Sequence, residues 1–138
     1  ETGYIHYPLY RCLAYEFKGN QNIRVVYLMQ PVFRKLRCKR RNKGPGDILT
    51  LYYSMDLPIK EDLANVLAAR SLIYTQLIQT EEMLPNQSNP APHSLEENLI
   101  NRLVDRLGLE DCKIIYSEIR YKNRYESLDL VKFYVRTK

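Results

Sequence analysis

Apolar and polar positions change their spacing along this chain, and the changes divide it into elements. From Ile48 to Met55, Leu49, Leu51, Tyr53 and Met55 alternate with Thr50, Tyr52 and Ser54, the two-residue period of a strand with one buried face. After Asp56-Leu57-Pro58 the period lengthens. Ile59, Leu63, Val66, Leu67, Ile73, Leu77 and Leu84 recur at roughly helical spacing, with Lys60, Glu61, Arg70, Gln76 and Gln79 mostly on other faces. Pro58 suits a first helical turn, and Glu61 and Asp62 suit the positive end of the helix dipole. A strand leading straight into a long helix, over 47–84, is therefore the stretch around which the other elements are expected to pack.

Alternation predicts four more strands. Leu9 to Lys18 carries Leu13, Tyr15 and Phe17 on one face, and Ile23 to Gln30 carries Ile23, Val25, Tyr27 and Met29. The turn residues Gly19-Asn20-Gln21-Asn22 join these two as a hairpin, and Pro31 ends the second. Cys112 to Tyr121 and Leu128 to Arg136 form a second pair, the latter with Val131, Phe133 and Val135 alternating. Between the long helix and this pair, Pro85, Pro90 and Pro92 mark an exposed loop. Ser94-Leu-Glu-Glu97 has the spacing of a capping box and predicts a second helix, with Leu95, Leu99, Leu103 and Leu107 on one face and Gly108 closing it in a left-handed conformation.

The expected fold is α+β: an antiparallel five-stranded sheet with two helices on one face, in the order β-β-β-α-α-β-β, forming a single domain over 4–136. The β-α-β-β part, about 47–136, is similar in topology to half of a ferredoxin-like fold, which extracellular SEA domains also use. The glycine-serine autocleavage turn of cleaving SEA domains is not found in it.

Charge changes the picture more than composition does. Seven of the ten residues from Arg34 to Lys43 are basic (Arg34, Lys35, Arg37, Lys39, Arg40, Arg41 and Lys43) and none is acidic. The chain's formal charge is +5, so everything outside this run sums to −2 and the protein is not basic in general. Such a concentration attracts sulfated glycan, phosphate or an acidic partner. Phe33-Arg-Lys-Leu-Arg-Cys38 also resembles a heparin-binding pattern, and Arg37-Cys38-Lys39-Arg40 resembles a furin-type site cleaved after Arg40.

Other features bear on compartment. Glu1-Thr2-Gly3 and Thr137-Lys138 look like expression-vector residues from a secretory system, Asn86-Gln87-Ser88 is a glycosylation sequon, and the three cysteines allow one disulfide. Cys12 and Cys38, which flank the same expected hairpin, are the first pairing, with Cys38–Cys112 as the alternative. No apolar run approaches the ~18 residues of a membrane span, so membrane insertion by this segment is not expected.

Catalytic chemistry finds little to work with. His6 and His93 have no neighbouring nucleophile or carboxylate in a recognisable constellation, no cysteine pair has metal-ligand spacing, and Gly44-Pro45-Gly46 is too short to cradle phosphate. No enzyme, cofactor or metal is expected. Twelve tyrosines stand against three phenylalanines and no tryptophan, and Tyr7, Tyr10, Tyr15, Tyr52, Tyr53, Tyr116, Tyr121, Tyr125 and Tyr134 lie on or beside expected strands. Their rings suit a half-buried sheet whose open face docks a protein partner.

The sequence thus leads to a non-enzymatic extracellular or cell-surface interaction domain, with a basic loop able to bind sulfated glycosaminoglycan or an acidic partner. The alternative is an intracellular single-stranded nucleic-acid-binding domain using the same loop and the sheet tyrosines, although the RNP signature of RNA-recognition sheets is not present.

Overall fold

The computed structural model describes residues 6–27, 30–35 and 43–138, and among these the chain is all helix. The elements are α1 (His6–Glu16), α2 (Gln30–Lys35), α3 (Pro45–Ser54), α4 (Glu61–Leu77), α5 (Pro92–Val104), α6 (Leu109–Ile119) and α7 (Arg124–Thr137). Helix α4 is the hub, packing against α3, α5, α6 and α7, while α1 rests on α3.

No sheet is present among the described residues, so the five-stranded α+β expectation falls, and the ferredoxin/SEA-like topology falls with it. The reason is visible residue by residue. In α7 the fully buried positions are Ser127, Val131 and Val135, four residues apart, whereas Phe133, which the alternation placed beside the two valines, is 70% exposed. In α6 the buried set is Cys112, Ile115 and Ile119, again a helical stripe. Short apolar runs satisfy both periods, and only burial separates them.

Helix starts decide the matter locally. The Asp47 carboxylate accepts a hydrogen bond from the Gly44 N–H at 2.9 Å, and Asp111 does the same for the Gly108 N–H at 2.6 Å. At α7 the box is reciprocal: Glu126 N–H donates to Asn123 Oδ1 at 3.0 Å, and Asn123 N–H donates to Glu126 Oε2 at 3.2 Å. The supposed strands from 48, 112 and 128 each therefore begin as a capped helix. Gly108 takes φ −84° before α6 rather than a left-handed close to α5, which ends at Val104. Ser94 does not cap α5 either. Pro92 occupies the first turn, and Ser94 is buried two residues further in. The long helix is present but spans Glu61–Leu77, so that Pro58 precedes its first turn and Leu84 lies beyond its end. Its acidic first turn, Glu61 and Asp62, is as expected.

The core belongs to the last four helices. Ile73, Leu77, Ile100, Val104, Leu107, Ile115, Ile119 and Val131 are wholly inaccessible and form one cluster with Tyr74, Cys112 and Val135. Each such side chain contributes about 1.5–3 kcal/mol on burial. Two arginines tie the helix ends to this cluster. Arg70 of α4 donates from Nε to the Leu107 carbonyl and from a terminal nitrogen to the Asp105 carbonyl, both at 2.7 Å, meeting the unpaired carbonyls beyond α5. Arg124 of α7 donates from Nε to the Leu77 carbonyl at 2.8 Å, and its other end pairs with Glu96 of α5.

Where α3 meets α4 the helices approach closely. A Cβ on Gly46 would lie 2.8 Å from Ser71 Oγ, a clash the serine could relieve by turning its hydroxyl away. Asp56 comes after α3 with φ 48°, the left-handed conformation that aspartate tolerates better than most, and turns the chain toward α4.

Candidate functional site

The basic run begins in the last turn of α2 and ends at Lys43, just before α3. Arg34 is exposed on α2, which Lys35 ends, and Lys43 is half-buried beside Gly44. Arg37, Lys39, Arg40 and Arg41, with Cys38 and the furin-like sequence, lie outside the described residues. The chain just past the run is firmly held. Gly44 and Pro45 are buried, and a Cβ on Gly44 would meet the Tyr74 ring at 3.6 Å.

Beside that mooring Asp47 and Tyr74 lie together, and of the acids that follow on α5 the sequence marks Glu97 only for a capping box. Burial pushes the Asp47 carboxyl up to about 6, against the Gly44 N–H and the Lys43 charge, which act the other way. Tyr74 is buried beside it. Burial first, and then the charges of Asp47 and Glu96, raise its phenol far above the usual range. On α5, burial pushes Glu97 up to about 7. Glu96 is committed, accepting from the Gln79 N–H at 3.2 Å as well as from Arg124.

One turn beyond Glu97, Asn101 is buried, and neither its side-chain nitrogen nor its oxygen has a hydrogen-bond partner, a costly arrangement. One sequence signal did point to part of this group: Gly44-Pro-Gly-Asp47 carries a carboxylate at the third helical position. For the burial of Tyr74, Glu97 and Asn101 no sequence signal existed, because each depends on what packs over it, and the capping-box spacing of Glu97 pointed elsewhere.

At the other end of the bundle, Asp111 gathers Lys138 Nζ, the Gly108 N–H and Tyr134 Oη, which donates at 2.9 Å. Lys138 first, and then Gly108, hold its carboxyl down to about 2. These partners make Asp111 a fastening for the end of α7. No group of three or more His, Cys, Asp or Glu side chains able to hold a metal is found among the described residues.

Cys12 and Cys112 are both free thiols, which overturns the expected Cys12–Cys38 bridge and the Cys38–Cys112 alternative alike. The reason for Cys112 is packing: it is 3% exposed and lies within the core cluster. His93 Nε2 accepts from the Met83 N–H at 2.9 Å and so serves the α4–α5 link. Asn86 stands in an exposed part of that link, its Oδ1 accepting from Ser88 Oγ at 2.8 Å and from the Asn89 N–H at 2.7 Å.

The tyrosines do not share one face, because there is no sheet among the described residues to give them one. Tyr10 stacks against Tyr27 with ring centres 5.4 Å apart and Tyr134 bonds Asp111, whereas Tyr15, Tyr53, Tyr121 and Tyr125 project into solvent. No helix among the described residues is long and apolar enough to cross a membrane.

Comparison with known proteins adds one likeness. No protein family matches the chain, and no solved structure does. It is similar to an uncharacterized protein of Archaeoglobus fulgidus, 32% identical over 74 residues, which are 54% of this chain and 26% of that protein. The matched part thus spans about a quarter of the length of that curated relative.

Proposed function

We propose that this is a non-catalytic helical domain that binds single-stranded nucleic acid, with the backbone phosphates held by the basic run Arg34–Lys43. The observation that carries the reading is the concentration of seven cations, without one acid, over ten residues of a chain whose remainder is slightly acidic. The run ends at the buried Gly44-Pro45 pair, so its last cation, Lys43, has a fixed place on the body. Solvent-facing tyrosines support a single strand over a duplex, because bases offer their faces to aromatic rings only when unpaired.

The free state of Cys12 and Cys112 takes from the extracellular reading one of its supports, the disulfide. The absence of a sheet among the described residues removes the shared tyrosine face that both readings had used, so it favours neither.

The test is fluorescence anisotropy with a labelled oligothymidylate across a salt series. The parent should bind with log K falling by up to about 5 per decade of salt if all seven cations meet phosphates. Changing Arg34, Arg37, Arg40 and Arg41 to Glu should lower affinity more than tenfold and leave the thermal midpoint in place. Unchanged affinity would remove the run from the account.

A second reading has one observation in its favour, the exposed sequon at Asn86. It is the extracellular domain that holds sulfated glycosaminoglycan, or an acidic protein, on the same run. A mass loss on deglycosylation of protein made in its own host, with heparin retention and no oligothymidylate binding, would favour it.

A further inference from the structure

The turn between α6 and α7 reads Arg120-Tyr-Lys-Asn-Arg-Tyr125, two Arg-Tyr pairs around a lysine. Tyr121 is 86% exposed and Tyr125 69%, although aromatic rings of this size are ordinarily drawn inward. Each has a guanidinium over one face, with Arg120 Cζ 4.6 Å from the Tyr121 ring centre and Arg124 Cζ 5.3 Å from that of Tyr125.

The backbone beneath the rings is fixed. Gln76 Nε2 of α4 donates to the Lys122 carbonyl at 2.9 Å, and the Lys122 N–H donates to the Ile119 carbonyl at 2.9 Å. Arg124 is bolted to Leu77 and Glu96, and Asn123 caps α7. The rings therefore stand on a preorganised support, and ordering them on a ligand costs little.

Charge selects the ligand class. Arg120 and Lys122 are exposed and enter no ion pair among the described residues, whereas Arg124 is spent on Glu96. Of the nearby acids, Glu126 is engaged by the Asn123 main chain and Glu118 lies on α6. Two such cations beside two ring faces match a chain that alternates anionic links with flat aromatic groups. An acidic peptide would use the cations and leave the rings idle.

We propose that the α6–α7 turn is a stacking site for unpaired nucleobases, with Tyr121 and Tyr125 taking bases and Arg120 and Lys122 the adjoining phosphates. The proposal rests on the nucleic-acid reading above but uses a separate surface from Arg34–Lys43.

The experiment compares the parent, Tyr121→Ala/Tyr125→Ala, Tyr121→Phe/Tyr125→Phe and the fourfold Arg→Glu variant of the basic run, each against labelled oligothymidylate and against heparin. Base–ring stacking is worth about 1–3 kcal/mol per base, or about 5- to 150-fold. The double Ala variant should lose at least about tenfold in oligothymidylate affinity, the double Phe variant should keep it, and heparin retention should not move. Because both rings are exposed, the thermal midpoint should hold in both. Equal oligothymidylate affinity in the parent and the double Ala variant overturns the site, as does a parallel loss of heparin retention. If only the fourfold variant loses binding, the turn is dismissed and the basic run stands; if only the double Ala variant does, the reverse holds. A parent that does not bind oligothymidylate dismisses both.

Discussion

The two halves of this molecule are stabilised and charged in opposite ways. Residues 1–60 hold eleven basic and four acidic residues, a formal +7, and among those described only Gly44 and Pro45 are buried. Residues 61–138 hold ten basic and twelve acidic residues, a formal −2, and contain every buried hydrophobic core side chain found among the described residues. The second half is a four-helix body closed on itself. The first is a chain laid on α4 through α3, with Leu9, Leu13 and Tyr15 of α1 facing water. If the run Arg34–Lys43 binds an anion as proposed, it is carried on the part whose charge the buried core does not have to accommodate. The body keeps its compactness whether or not the cations find a partner.

Removing a comparable side chain from each half puts this contrast to its severest test. Ile115→Ala should cost about 2–5 kcal/mol in urea unfolding, because a wholly buried isoleucine leaves a cavity that the packed helices fill only in part. Leu13→Ala, at an exposed site of α1, should cost under about 1 kcal/mol. Similar losses at the two positions would mean that the halves share one core.

Next in size is the arginine tie. Arg124→Ala leaves the Leu77 carbonyl without its side-chain donor and Glu96 with the Gln79 N–H alone, both at partly buried sites, and should cost about 2 kcal/mol. A loss below about 0.5 kcal/mol would class the pair with ordinary surface bridges.

The smallest effect is a slope. Asp47, at the joint between the halves, and Glu97, within the body, both hold a proton more tightly folded than unfolded. The native state therefore binds more protons from 3.8 to about 6 for Asp47 and from 4.5 to about 7 for Glu97, and across those windows stability falls as pH rises. Asp47→Asn should flatten the lower window while keeping an acceptor for the Gly44 N–H, and Glu97→Gln should flatten the upper. Equilibrium unfolding at a series of pH values reads both, and a profile that neither change alters would show that the two carboxyls are well solvated.

How much of this is legible in the sequence depends on the kind of signal each element carries. Helix α4 is legible, because its apolar positions recur over several turns and two acids open it. Helices α3, α6 and α7 are not. Their apolar runs are short enough to satisfy a two-residue period, and two of the three start at a glycine, which reads as a breaker unless its partner carboxylate three residues on is taken with it. The capping box that stands out in the sequence, Ser94 to Glu97, is one the fold does not use, since Pro92 sets the start of α5 earlier. Of the candidate site, the basic run needs only counting. Asp47, Tyr74 and Glu97 owe their character to neighbours from distant parts of the chain, and no local pattern records that.

Cys112 lies inside the closed body, its thiol kept protonated by burial, while Cys12 sits half-buried on α1. An alkylating or oxidising reagent therefore meets the two sulfurs on different clocks. The first is touched only when the four helices part, and the second whenever α1 lifts. The chain carries its own pair of witnesses, one to global collapse of order and one to local opening.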